Sequence, residues 1–289
     1  MSFPKADIEI TEEFVRALVA TQFPEFSDHS VTFLSEGFDN ANFRLGDSLM
    51  VRLPRRTLRA VLLTQEIEWL PKLEHQLPIP VPAPIKIGKP TDAYPWSWTI
   101  VPFFEGNSAL HESISESEIE KLVRFLKVLH RINPLGTPGN PYRGVPLSSR
   151  DHDVKNRMKE LEQNDIAVPL YIKNLWEMAV AEHIDSEPCL IHGDLHPNNI
   201  IVKNGEIQAI IDWGDVTKGD PATDLVSFWM LIEDSELRLQ AFEAYGASES
   251  LIKRSIGWAV FYIAVFLNPD SGYKKLGEKM LSILGRKVI

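Results

Sequence analysis

Two short polar segments, each at the end of an apolar run, constrain this chain more than any other feature. The first is Ile191-His192-Gly193-Asp194-Leu195-His196-Pro197-Asn198-Asn199-Ile200, entered from Pro188-Cys189-Leu190. The second is Ile210-Ile211-Asp212-Trp213-Gly214, with Asp212 thirteen residues after Asn199. Short apolar runs bounded by Gly, Pro and Asn read as buried strands. The polar segments then read as loops that a rigid scaffold presents. Asp194, Asn199 and Asp212 together make a set of hard oxygen donors. Phosphoryl transfer asks a protein for little more than this. It needs a carboxylate to orient and deprotonate an acceptor hydroxyl, oxygen ligands for Mg²⁺, and a basic group for the nucleotide phosphates.

The surrounding texture places these loops in an α+β chain. Residues 8–22 carry helical spacing, with Thr11 as N-cap and Glu12-Glu13 in the first turn. Val31 to Leu34, Asn42 to Leu45 and Leu49 to Leu53 read as three antiparallel strands, separated by Gly37 and Gly46-Asp47. Helical spacing returns over 57–76, with Pro71 predicting a kink or an early end. Pro78, Pro80, Pro82 and Pro84 then form a stiff connector to an aromatic strand, Trp96 to Phe104. We place a boundary there, with an N-terminal nucleotide-binding lobe over 1–104 and a helical C-terminal lobe over 105–289. The second part reads as an amphipathic helix at 115–132, a Pro- and Gly-rich loop at 133–150, helical texture at 153–183, and helices from about 221 onward. A strand-rich front and a helix-rich back predict a two-lobed plan.

Charge narrows the partners. With 30 Lys and Arg against 40 Asp and Glu, the net charge is −10. That field repels nucleic acid and attracts a cationic small molecule. The single cysteine, Cys189, permits no internal disulfide and reads as an inert core thiol. With Asp7, Glu9, Glu12 and Glu13 near the N-terminus, no signal peptide is expected. The longest apolar stretch, Ile256 to Leu267, is too short to span a bilayer. A cytoplasmic protein with no membrane partner is the expectation.

The pattern His-Gly-Asp-x-His-x-x-Asn, followed by Ile-Asp-Trp-Gly, resembles the aminoglycoside phosphotransferase family of small-molecule kinases, relatives of the eukaryotic protein kinases. The resemblance runs from about Leu34 to Trp229. It implies a two-lobed protein-kinase-like fold with ATP and Mg²⁺ as cofactors. Asp194 would be the catalytic base, and Asn199 and Asp212 the Mg²⁺ ligands. Ser35-Glu36-Gly37-Phe38-Asp39-Asn40-Ala41-Asn42 is similar to the family's nucleotide loop, which puts Gly37 and Asn40 beside the phosphates. Arg52, in Val51-Arg52-Leu53-Pro54-Arg55, stands where kinases usually place lysine, and Glu66 is its expected partner. The run Thr99 to Gly106 resembles the linker between lobes, with adenine at the backbone of Val101 to Phe103. His192 and His196 are expected to hold the catalytic loop and Asp224 to brace it. Asp215, Glu233 and Asp234 are candidates to line the acceptor site, or else mark an exposed helix end. The acceptor expected is a small-molecule hydroxyl compound of aminoglycoside type. Macrolides come next, and then choline, homoserine or a sugar. A nucleotide-binding pseudoenzyme is disfavoured, because Asp194, Asn199 and Asp212 are all present.

Overall fold

The computed structural model describes residues 6–37 and 40–286. Backbone proximity groups the chain into two compact units, one of Ser2–Gly106 with Gln208–Gly214 and one of Asn107–Ile207 with Asp215–Ile289.

The smaller unit is built on an antiparallel sheet. Its elements are α1 (Glu12–Gln22), β1 (Val31–Glu36), β2 (Asn40–Leu45), β3 (Leu49–Pro54), α2 (Thr57–Leu73), β4 (Lys86–Gly88) and β5 (Trp98–Pro102). The strands lie in the order β1-β2-β3-β5-β4. Strand β2 shows why the sheet forms. Ala41, Phe43 and Leu45 are buried while the alternate residues are partly exposed, the two-residue period of a strand with one face on a core. That core also takes Val15 and Val19 of α1, Tyr94 and Trp98. The Thr11 hydroxyl caps α1 by accepting from the Phe14 amide at 3.2 Å. Pro71 sits in the last turn of α2, and the helix runs past it to Leu73.

The larger unit holds β6 (Asn107–Ser108), α3 (Glu116–Leu129), α4 (Asp151–Gln163), α5 (Leu170–Ala181), β7 (Cys189–Ile191), β8 (Ile200–Lys203) and the start of β9 (Glu206–Ile210). It continues with β10 (Thr217–Gly219), α6 (Ala222–Leu225), α7 (Ser227–Leu231), α8 (Ser235–Tyr245), α9 (Glu249–Phe266) and α10 (Lys274–Gly285). The helical texture expected over 153–183 is two helices, broken where Asp165 turns left-handed (φ 59°) and Pro169 precedes α5. Helix α9 is apolar nearly all round and buried along most of its length, as a central core helix must be. Among the described residues no helix is long and apolar enough to cross a membrane.

Strand β10, absent from the sequence reading, pairs antiparallel with β7, Thr217 opposite Ile191. A close backbone contact seats the preceding loop against it. Gly144 has φ +66°, and a Cβ there would lie 2.7 Å from the Cα of Gly219. The Asp220 amide donates to the Gly144 carbonyl at 2.9 Å. This contact fixes the segment carrying Arg143.

Candidate active site

The first polar segment leaves β7 at Ile191 and enters β8 at Ile200 through a single 3-10 turn, Pro197–Asn199. Gly193 has φ +87°, and a Cβ there would meet the Asp215 carbonyl at 2.5 Å, so this corner admits only glycine without a shift. Asp224, fully buried, accepts from the His192 amide at 2.8 Å and the Gly193 amide at 2.9 Å. His130 Nε2 lies 3.2 Å from the same carboxylate, and its Nδ1 lies 2.7 Å from the Tyr245 hydroxyl. Backbone donors of the loop are thus satisfied by a buried carboxyl group.

The loop is also tied to itself. His192, buried, accepts the Asp194 amide on Nδ1 at 3.2 Å. His196 accepts the Asn198 amide at 3.2 Å and packs edge-on against Tyr273. Asn199 Nδ2 donates to the Asp194 carbonyl at 2.9 Å. These bonds set where the Asp194 side chain starts.

The carboxylate of Asp194 has two strong donors on one oxygen. Arg143 Nη2 and the Tyr262 hydroxyl each donate to Oδ1 at 2.7 Å. Arg143 Nη1 donates to the Tyr262 oxygen at 3.0 Å, and its Nε lies 3.6 Å from Asp215 Oδ2. Asn140 Nδ2 donates to the other Asp215 oxygen at 2.7 Å. Burial works against charge on Asp194. The Arg143 guanidinium, then His196 and the Tyr262 hydroxyl, outweigh it and hold the carboxyl well below the usual carboxylate range. Burial, reinforced by the neighbouring carboxylates, pushes the Tyr262 phenol well above its ordinary value, so it remains a proton donor. Burial also opposes the charge of Arg143, but Tyr262, Asp194 and Asp215 raise its pKa above the ordinary arginine value.

Arg143 and Tyr262 went unread in the sequence. They stand 51 residues before and 68 residues after Asp194. One lies in a Pro- and Gly-rich loop, and the other is one aromatic among many in an apolar helix. Of the three carboxylates expected at an acceptor site, Asp215 joins the Asp194 cluster through Arg143. Glu233 pairs instead with Lys279 at 2.8 Å. Asp234 caps α8 by accepting from the Leu237 amide at 2.8 Å. Cys189 is half-buried rather than a core residue, and burial pushes its thiol well up.

On the smaller unit, Arg52 of β3 forms a two-pronged, buried ion pair with Glu66 of α2, its second bond at 3.2 Å. Glu68 pairs with Lys72. At the turn after β1 the Gly37 amide donates to the Asn40 carbonyl at 2.9 Å. Arg55 donates to the Gly37 carbonyl at 3.0 Å and pairs with Glu36, so it ties this turn to β3. Phe38 and Asp39, in the same expected nucleotide loop, lie outside the described residues. Val101 is buried in β5. The Phe103 amide is taken by the Ser48 carbonyl at 2.8 Å, and its ring lies under the Arg44 guanidinium.

Asp212, grouped with the smaller unit, is exposed and takes φ +63°, a region that costs a side chain about 1 kcal/mol or more. Trp213 behind it is buried and donates to the Ile210 carbonyl at 2.9 Å. Backbone strain at a carboxylate presented to solvent is a mark of functional sites. Taken one at a time, each expected ligand is a hard oxygen donor of the kind Mg²⁺ takes: the Asn199 amide oxygen, its Nδ2 being bound to the Asp194 carbonyl, and, on the other unit, the Asp212 carboxylate. Among the described residues no three His, Cys, Asp or Glu cluster as a metal cage. Mg²⁺ is commonly held by one or two protein oxygens plus substrate phosphates.

The profile of the phosphotransferase enzyme family matches residues 30–260. The uncharacterized protein YcbJ of Bacillus subtilis is 40% identical over 129 residues, 44% of this chain and 42% of that protein, so the match spans less than half of the relative. The aminoglycoside 3'-phosphotransferase of Escherichia coli is 26% identical over 194 residues, 63% of this chain and 69% of that one. Among solved structures, the GDP and kanamycin complex of APH(2″)-IIIa superposes with a TM-score of 0.67 at 20% identity, covering 93% of this chain and 96% of the other. The macrolide 2'-phosphotransferase of Brachybacterium faecium gives 0.62 at 18% identity, covering 94% and 98%. At those identities the superpositions establish the two-lobed, protein-kinase-like fold. The extent of the family match settles membership: the chain belongs to the phosphotransferase enzyme family.

Proposed function

We propose that this protein moves the γ-phosphoryl group of ATP to a hydroxyl of a small molecule. The observation that carries the reading is the Asp194 carboxylate, held ionised and oriented by Arg143 and Tyr262 in a loop braced by Asp224. The acceptor hydroxyl donates to Asp194 and is aligned with the γ-phosphorus. A bond forms between the acceptor oxygen and phosphorus, and the bond from phosphorus to the β,γ-bridging oxygen breaks. The hydroxyl proton passes to Asp194, and ADP departs with the bridging oxygen. In a loose transition state this proton leaves late, so orientation counts for more than basicity. A carboxylate held well below its usual range suits that division of labour. Arg52, ion-paired with Glu66, supplies positive charge for the nucleotide phosphates. Asn199 and Asp212 would be the oxygen donors for Mg²⁺, whose charge would neutralise the nucleotide phosphates.

For the acceptor we favour a polyhydroxylated amine of aminoglycoside type, supported by the net charge of −10 and by the E. coli relative. The B. faecium neighbour supports macrolides as the second reading. A cytoplasmic setting fits the need for ATP. The test is a nucleotide-consumption screen with Mg²⁺, run with ATP and, because of the GDP in one solved neighbour, with GTP. The panel holds aminoglycosides, macrolides, choline, homoserine and sugars. Acceptor-dependent turnover is expected, and its absence across the panel with both nucleotides counts against the reading. Turnover with neutral or anionic acceptors alone removes aminoglycosides and leaves phosphotransfer standing.

A further inference from the structure

The bonds around Asp194 are unequal, and the inequality has a chemical use. Oδ1 accepts two charge-assisted bonds of 2.7 Å, from Arg143 and Tyr262. Oδ2 faces His196 Nε2 at 3.5 Å, longer than a normal N–H···O bond. One carboxylate oxygen is saturated and the other retains its capacity to accept.

The two donors are themselves fixed from several sides. Arg143 follows Asn140, whose Oδ1 accepts the amides of Tyr142 and Arg143 at 2.9 and 3.1 Å. Asn140 Nδ2 is anchored on Asp215. The next residue, Gly144, is seated against Gly219 by the close contact described above. Tyr262 comes from the buried helix α9, its ring packed against Phe261 and Phe266. Arg143 Nη1 also donates to the Tyr262 oxygen, which orients the phenol proton toward Asp194. A planar fork and a rigid phenol on one oxygen leave the carboxylate little freedom to rotate.

We propose that Arg143 and Tyr262 are positioning residues that hold Oδ1 of Asp194 so that Oδ2 is the oxygen presented to the acceptor hydroxyl. This rests on the phosphotransfer reading and adds to it the device that orients the base. Neither residue touches the acceptor or the nucleotide in this account. Both act through Asp194, so their loss lowers the rate and leaves nucleotide binding alone.

The test uses the full chain with Mg·ATP and water as the acceptor, read as phosphate release, so that it does not wait on the acceptor's identity. Tyr262→Phe keeps the packed ring and removes the donor. It is expected to lower kcat by about 3- to 10-fold, the worth of one hydrogen bond, with KM for ATP unchanged. Arg143→Ala removes a charged fork and is expected to lower kcat by roughly 10- to 100-fold. Guanidinium at a sub-denaturing concentration is expected to restore part of that loss. Arg143→Lys, which keeps charge without the fork, should fall between Arg143→Ala and the parent. Parent-like kcat in both Tyr262→Phe and Arg143→Ala overturns the proposal. So does a loss in Arg143→Ala that guanidinium leaves unrestored, because that marks Arg143 as a folding residue only. A parent that releases phosphate no faster than Asp194→Asn and also shows no acceptor-dependent turnover across the panel overturns the phosphotransfer reading itself, and this inference with it.

Discussion

Replacing Asp224 by Asn probes how the catalytic loop is held. The carboxylate is fully buried and accepts from two loop amides, with His130 as a third neighbour. Asn keeps one acceptor oxygen and turns an NH₂ toward the other amide, donor against donor. One charge-assisted bond is lost, worth about 1.5–3 kcal/mol, and one buried N–H goes unpaired at a further ~1–3 kcal/mol. Some local relaxation recovers part of this, so we expect a loss of about 3 kcal/mol. Against a total stability of roughly 5–15 kcal/mol that is large. Urea unfolding followed by far-UV circular dichroism should show a lower midpoint with an unchanged slope. Native-state hydrogen exchange should speed up first at the His192 and Gly193 amides. A loss below about 0.5 kcal/mol, the lower limit for one net hydrogen bond, with unchanged exchange at those amides, would refute the claim that Asp224 braces the loop.

Three further changes test other parts of the structure. Arg254, 2% exposed, spans Asp220 and Asp185, so Arg254→Met leaves Asp220 buried without its cation. A loss of about 3–5 kcal/mol is expected, read by the same urea titration, and a neutral result refutes a structural role for the pair. Asp212→Ala should abolish Mg²⁺-dependent ATP turnover in a chain of parental melting temperature, and near-parental turnover at ordinary Mg²⁺ rules out Asp212 as a metal ligand. The Asp185 carboxyl is held low by the Ser248 hydroxyl and then by Arg254. A depressed folded value gives stability that is present above the unfolded pKa of about 3.9 and lost as pH falls below it. Asp185→Asn should therefore narrow the difference in urea midpoint between pH 5 and pH 3, and a pH dependence identical to the parent's contradicts that assignment.

Legibility followed the range of the interactions. The strands β1 to β3 and helix α3 announce themselves through local hydrophobic spacing, and the structure places them within a few residues of expectation. Strand β10 is three residues, Thr-Lys-Gly, with no apolar run to betray it; its pairing with β7 is a tertiary fact. Asp194, Asn199 and Asp224 stand out in the sequence because they sit in compact motifs. Arg143 and Tyr262 do not, because the carboxylate they bind lies more than fifty residues away. Glu233 and Asp234 carried two readings, acidity lining an acceptor site or an exposed helix end, and Asp234 directly precedes α8 and accepts from the Leu237 amide in its first turn.

The most direct measurement is ³¹P NMR of ATP and Mg²⁺ with the acceptor panel, run on the parent and on Asp194→Asn. Removing the carboxylate's charge keeps its size, so nucleotide affinity by calorimetry should hold while the oriented base is lost. The account predicts a phosphomonoester resonance that grows with the parent and grows about 10² more slowly, or not at all, with the variant. Phosphomonoester formed at the parental rate by Asp194→Asn would contradict the assignment of phosphoryl transfer to this loop.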